Sequence, residues 1–320
     1  MITLRSVATG SLALLAVLGL SQAAGPDNAS YSLLERIIQA ASRLRYSGVR
    51  TVELKFGPDQ VKHIEYVQKM GNRTRIEFPP EGSYRGQVIV ETEVDRRHYF
   101  PDRNQVEVLP PHRDELIARL LKLMRKKGNG PRVAVLDGPT IAGIDTKLIE
   151  VDGPQNRPIQ RLWIDPDTYL VVKREVYDRN GRTVAASEYT KVDYRHRFRG
   201  NEFHLEVPGA KVVTPRDKMA DVIAKGGYQN VSLPPKDPFK LESCRIQQIG
   251  DVSALVQVYV NANGRLTLYQ LRTSVDPKQL QRFGRGEVSA HSWQSGGSTF
   301  VLLGDLPEDK LREIAQRLTP

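Results

Sequence analysis

The sequence predicts an α+β protein: an antiparallel sheet covered by helices, followed by a smaller α+β unit. Three observations carry this. Short stretches alternate apolar and polar residues between turn signals, the pattern of half-buried antiparallel strands. Amphipathic stretches at helical spacing break into that pattern and also close the chain. A proline-rich stretch, 208–238, with Pro208, Pro215, Pro234, Pro235, Pro238 and Gly226-Gly227, separates a long first block from a compact last one.

The chain opens with Arg5 as its only charge before an apolar run from Val7 to Leu20. Small residues follow at Ser21, Ala23 and Ala24. This reads as a signal peptide over 1–24, cleaved near Ala23 or Ala24, with a run too short to span a bilayer comfortably. No cysteine stands directly after the run, so a lipoprotein is excluded. The expected product is a soluble, exported chain of about 295 residues, enough for two domains. Export excludes most nucleotide-dependent and nucleic-acid functions. The single cysteine, Cys244, cannot form an intramolecular disulfide, so core packing must hold the fold. The formal charge is +10, and outside the cytoplasm its natural partners are lipid headgroups, lipopolysaccharide phosphates and acidic proteins.

After the signal, Ser32-x-x-Glu35 has the form of a capping box. Leu33, Leu34, Ile37, Ile38, Ala41 and Leu44 then make one helical stripe, which Tyr46-Ser47-Gly48 ends. Strands are predicted at 49–56, 63–69, 73–78, 87–92, 97–100 and 105–109. A second helix is predicted over 113–127, where Ile117, Leu120, Leu121 and Met124 form a stripe and Gly128 is the stop. Strands resume at 147–151, 161–164, 170–177 and 184–194, with turns at Asp165-Pro166-Asp167 and Asp178-Arg179-Asn180-Gly181. The domains expected are 25–207 and 239–320, joined by the linker 208–238 with a short helix near 218–225. In the last unit, two hairpins turn at Asn261–Gly264 and Gly296-Gly297. Pro307 opens a final helix with Leu311, Ile314, Ala315 and Leu318 facing inward.

The search for catalysis is negative. The six histidines show no H-E-x-x-H or H-x-H spacing, and no G-x-S-x-G or S-x-x-K motif occurs. The carboxylate pairs Glu91/Glu93 and Asp165/Asp167 fall on a strand face and in a turn. No enzyme, cofactor or metal site is expected. Two basic clusters offer anion docking: Arg125, Lys126 and Lys127 at the second helix end, and Arg195 and Arg197 around His196. A meander with one apolar face under two helices either fills its core or encloses an apolar cavity.

The order of several motifs resembles the periplasmic sigma-E regulator family, RseB/MucB. These are Leu33-Leu34-Glu35-Arg36, Ala40-Ala41 and Tyr46-Ser47-Gly48, then Tyr99-x-Pro101-Asp102 and Ile141-Ala142-Gly143. Arg161-Leu162-Trp163-Ile164-Asp165 with Thr168-Tyr169-Leu170 follows the family's R-L-W-x-D … G-L run, which the lipoprotein carrier LolA shares more loosely. Gly304-Asp305-Leu306-Pro307 before Ile314-Ala315 matches the terminal segment. Ile144 stands where the family has Arg after A-G.

The resemblance implies a LolA-like first domain, an incomplete antiparallel β-barrel covered by helices, and a small C-terminal α+β domain. It implies a periplasmic regulator of an extracytoplasmic stress response. Such a regulator binds the periplasmic part of a transmembrane anti-sigma factor, shields it from proteolysis and senses lipid or envelope damage. The alternative is a LolA-like carrier of lipoproteins or lipids. Expected partners are the anti-sigma factor and lipid, lipopolysaccharide or lipoprotein acyl chains, with nucleic acid excluded and a homodimer left open. The cavity residues named on this basis are Val52, Leu54, Phe56, Ile64, Tyr66, Ile76, Phe78 and Trp163. Tyr259, Tyr269, Arg272 and Trp293 are named for partner docking, as aromatic and Arg anchors.

Overall fold

The computed structural model describes residues 28–56, 59–111, 131–249, 252–261, 264–273 and 288–319. The expected signal peptide and the expected second helix with its basic cluster Arg125, Lys126 and Lys127 lie outside the described residues.

Helix α1 (Asn28–Ala41) packs Leu34 and Ile37 against Ile149, Val151, Leu162 and Ile164. It begins one turn before Ser32, so Ser32 and Glu35 lie inside the helix rather than at its cap. The following strand β1 (Arg45–Phe56) also starts earlier than the spacing suggests. Gly48 does not stop a helix. It lies in the strand where a Cβ would meet the Lys191 carbonyl at 2.7 Å and the Tyr189 ring at 2.9 Å.

Ten further strands continue this sheet: β2 (Asp59–Met70), β3 (Arg73–Glu77), β4 (Val88–Glu91), β5 (Arg96–Phe100), β6 (Gln105–Leu109), β7 (Arg132–Ile141), β8 (Ile144–Asp152), β9 (Pro158–Ile164), β10 (Val171–Tyr177) and β11 (Thr183–Asp193). Strand β7 was not legible in the sequence. It pairs with β8 across Ala142 and Gly143, both at positive φ (52° and 79°), which suits a tight hairpin. A twelfth strand, β12 (Lys211–Val213), pairs in parallel with β6. The order is β12-β6-β5-β4-β3-β2-β1-β11-β10-β9-β8-β7, and the terminal strands do not pair with each other. The sheet is an unclosed antiparallel barrel with one added parallel strand.

Within 208–238, β12 thus joins the first sheet, while helix α2 (Pro215–Gly226) joins the second unit through Met219. Thr214 caps α2: its side chain accepts from the Asp217 amide, and Asp217 accepts from the Thr214 amide at 2.7 Å. Lys218 of α2 reaches back to Glu107 of β6 at 2.7 Å.

The second sheet has the order β13-β14-β15-β17-β16, all antiparallel. Its strands are β13 (Lys240–Ile249), β14 (Val252–Val260), β15 (Arg265–Leu271), β16 (Ser289–Ser295) and β17 (Ser298–Gly304). The two expected hairpins are β14–β15 and β16–β17. Strand β13 is an edge strand whose exposed, polar sequence hid it. Helix α3 (Glu308–Ala315) buries Leu311 and Ile314, as its stripe predicts, against Tyr259, Leu266, Phe300 and Leu302.

Candidate functional site

Cross-strand partners share a sheet face, so the register sorts the candidate cavity residues. One row runs Leu162, Arg174, Ser187, Val52, His63 across β9, β10, β11, β1 and β2. Leu162 touches α1, so this is the α1 face. The next row, Trp163, Lys173, Glu188, Thr51, Ile64, lies on the opposite face. Val52 and Leu54 therefore look toward the α1 side, while Ile64, Tyr66 and Trp163 look away from it. Ile76 pairs with Val67 on the α1 face, and Phe78 is buried with its ring 5.4 Å from that of His63. Phe56 belongs to β1, and its side chain lies outside the described residues.

The seven candidates with described side chains do not line one apolar cavity. Ile64 and Tyr66 are 45% and 46% exposed, and the residues of β2 that turn inward are Glu65 and Val67. The reason is pairing: Val52 faces α1, and its partner His63 must do so too. Glu65 is tolerated inside because Arg50 Nε donates to its Oε2 at 2.6 Å and His63 Nε2 lies 3.0 Å from its Oε1.

The α1 face is therefore polar at its centre. Beside the ion pair, the Tyr46 and Tyr189 hydroxyls are hydrogen-bonded at 2.7 Å. Burial, with Tyr189 alongside, holds the Tyr46 phenol well above its ordinary pKa. Burial works against the Arg50 charge, but Tyr189 and Glu65 outweigh it and keep the guanidinium firmly protonated. Sequence reading missed this network, although Arg50 and Glu65 sit at the alternation positions that would have shown it.

The opposite face is crossed by the segment after β11. Arg75 Nη1 donates to the Glu202 carbonyl at 3.1 Å, and Arg45 stacks over the Phe198 ring at 5.0 Å. A cavity of about 320 Å³ opens there between Tyr66, Gln68, Asp193 and His196. A second, of about 470 Å³, opens beyond the end of α1. Arg195 and Arg197 are exposed on the crossing segment, and the Arg195 amide donates to Asp193.

The four docking candidates are scattered. Tyr259 is not an exposed anchor: it is 1% exposed and sits in the core. Its hydroxyl accepts from the Leu233 amide at 3.3 Å and donates to Gln257 Oε1 at 2.5 Å. Trp293 stacks on Phe300 at 5.2 Å and on His291 at 5.6 Å. Tyr269 is half-buried against the opposite face of the second sheet. Arg272 is exposed, donates to the Gly226 carbonyl at 3.0 Å and stacks over Tyr228. Among the described residues, no group of three or more His, Cys, Asp or Glu side chains could hold a metal ion.

The chain is similar to several solved structures. The Pseudomonas aeruginosa MucA/MucB complex matches at 13% identity and TM-score 0.45, over 91% of this chain and 99% of that chain. A crystal structure of MucB matches at 15% identity and TM-score 0.43, over 92% and 100%. A LolA superfamily protein from Nitrosomonas europaea matches at 15% identity and TM-score 0.26, over 52% and 94%. No curated protein sequence matches. The family model for the MucB/RseB N-terminal domain matches residues 29–210, which run from α1 to the start of the parallel strand. With more than half of its length matched by that model, the chain belongs to the MucB/RseB family.

Proposed function

We propose that this chain is a periplasmic regulator of an extracytoplasmic stress response. It binds the periplasmic part of a transmembrane anti-sigma factor, shields it from proteolysis and senses lipid or envelope damage. The observation that carries this reading is family membership through the first domain. One solved relative is described as MucB in complex with MucA(peri). A second unit with its own core, from α2 to α3, supplies more surface than a simple carrier needs. We place the division between the two units at Thr214, where β12 has ended with the first sheet and α2 begins. The role is one of binding rather than catalysis.

The second reading is a carrier of lipids or lipoproteins, favoured by the unclosed sheet of the first domain. In either role, acyl chains would have to enter beside the Arg50–Glu65 pair or displace α1 from Ile149 and Leu162. A capture experiment separates the readings. The exported full chain is used as bait in detergent-solubilised envelope, and bound proteins and lipids are identified. Recovery of a single-span anti-sigma factor, lost when 214–320 is removed, supports the regulator. Recovery of lipids or lipoproteins alone, unaffected by that deletion, leaves the carrier.

A further inference from the structure

The cavity beyond α1 is walled by three arginines from one short stretch: Arg36 in the helix, then Arg43 and Arg45 after it. The intervening turn is pinned, with the Arg43 and Leu44 amides both donating to the Ala40 carbonyl at 2.7 and 2.9 Å. Across the cavity stand Tyr169 and Tyr194. Arg36 Nη1 donates to the Tyr169 hydroxyl at 3.3 Å, and Arg45 lies over Phe198. Among the described residues, no carboxylate forms an ion pair with any of the three guanidiniums. Asp165, behind the far wall, is already engaged: Tyr194 and Thr168 hydroxyls donate to it at 2.6 and 2.7 Å, and the Asp167 amide at 2.9 Å.

Three guanidiniums around one hollow, with no carboxylate partner among the described residues, repel one another, and the helix C-terminus offsets this only in part. Tyr169 adds a second observation. Its φ is +61°, a conformation costly for any residue with a Cβ, and it projects a ring into the cavity wall.

We infer that this cavity is a binding site for a small, soluble, multiply charged oxyanion, such as a tricarboxylate or an organic phosphate, gripped by Arg36, Arg43 and Arg45 between the Tyr169 and Tyr194 rings. The guanidinium fork matches carboxylate and phosphate oxygens in pairs. A volume of about 470 Å³ exceeds a bare inorganic ion and suits a compact organic one. Ala40, Leu44 and the two tyrosine rings put apolar surface beside the guanidiniums, which suits the carbon frame of a compact organic anion.

The test is calorimetric titration of the full chain with citrate, and separately with inorganic pyrophosphate, at low ionic strength, where exposed charges are least screened. The expected result is saturable one-to-one binding, weakened roughly tenfold or more in Arg43→Gln/Arg45→Gln. The remote pair Lys236→Gln/Arg245→Gln leaves it unchanged. Absence of saturable binding, equal weakening in both double variants, or binding confined to phosphatidic acid vesicles would overturn the site. Partner capture is a separate readout, so loss of this site leaves the regulator role standing.

Discussion

Arg50 and Glu65 face each other in the β1–β2 register and form an ion pair at 2.6 Å on the side of the sheet that packs against α1. Removing one partner strands the other charge in a half-dry site. Glu65→Ala is expected to cost about 3 kcal/mol, while the apolar double Arg50→Met/Glu65→Leu costs less than that single change. Urea unfolding of the three chains checks the order.

The Tyr46 and Tyr189 hydroxyls satisfy each other. Tyr46→Phe or Tyr189→Phe leaves one buried hydroxyl unpaired, at about 1–2 kcal/mol. The double variant removes both polar groups and is expected to cost less than the sum of the singles. A double-mutant cycle from unfolding midpoints measures that coupling.

Tyr169 holds φ +61° in the turn between β9 and β10. Tyr169→Ala and Tyr169→Gly lose the same ring contacts, but only glycine tolerates the backbone. The glycine variant is expected to be about 1 kcal/mol the more stable of the two. Equal stabilities in thermal unfolding would show that the turn relaxes instead.

His98 is held neutral, its pKa lowered to about 4 by burial first and then by Arg96. Its folded pKa lies below its unfolded one. Its contribution is therefore fully present above the unfolded value and is lost as pH falls from there through about 4. Over that window the unfolded chain takes up a proton the folded one refuses, steepening the loss by up to about 1.4 kcal/mol per pH unit. The His98→Gln variant flattens this slope, which stability measurements between pH 7 and 4 would reveal.

Much of the architecture was legible because it rests on local signals. The stripe of α1, the two hairpins of the second sheet and the inward side of α3 follow from periodicity and turn residues. Strands β7, β12 and β13 were not. Their residues carry no clean alternation: β7 and β13 are strands through pairing with their neighbours β8 and β14, and β12 through pairing with β6, far back in the chain. Gly48 misled in the same way: as a punctuation mark it ends a helix, but its real constraint is a carbonyl from Lys191, more than a hundred residues away.

The sequence by itself determined an α+β chain of the MucB/RseB family, with a long meander, a second unit and no recognisable catalytic motif. Only the tertiary structure decided which side of the meander is covered. A two-residue period distinguishes the faces of a strand but gives both the same rhythm. At β2 the choice fell to Arg50, which makes Glu65 acceptable inside and leaves Ile64 and Tyr66 outside. The three arginines beyond α1 likewise read as ordinary surface charges until the fold set them around one hollow, with no carboxylate among its described lining residues. Charge compensation depends on distances in space, and linear spacing does not record them.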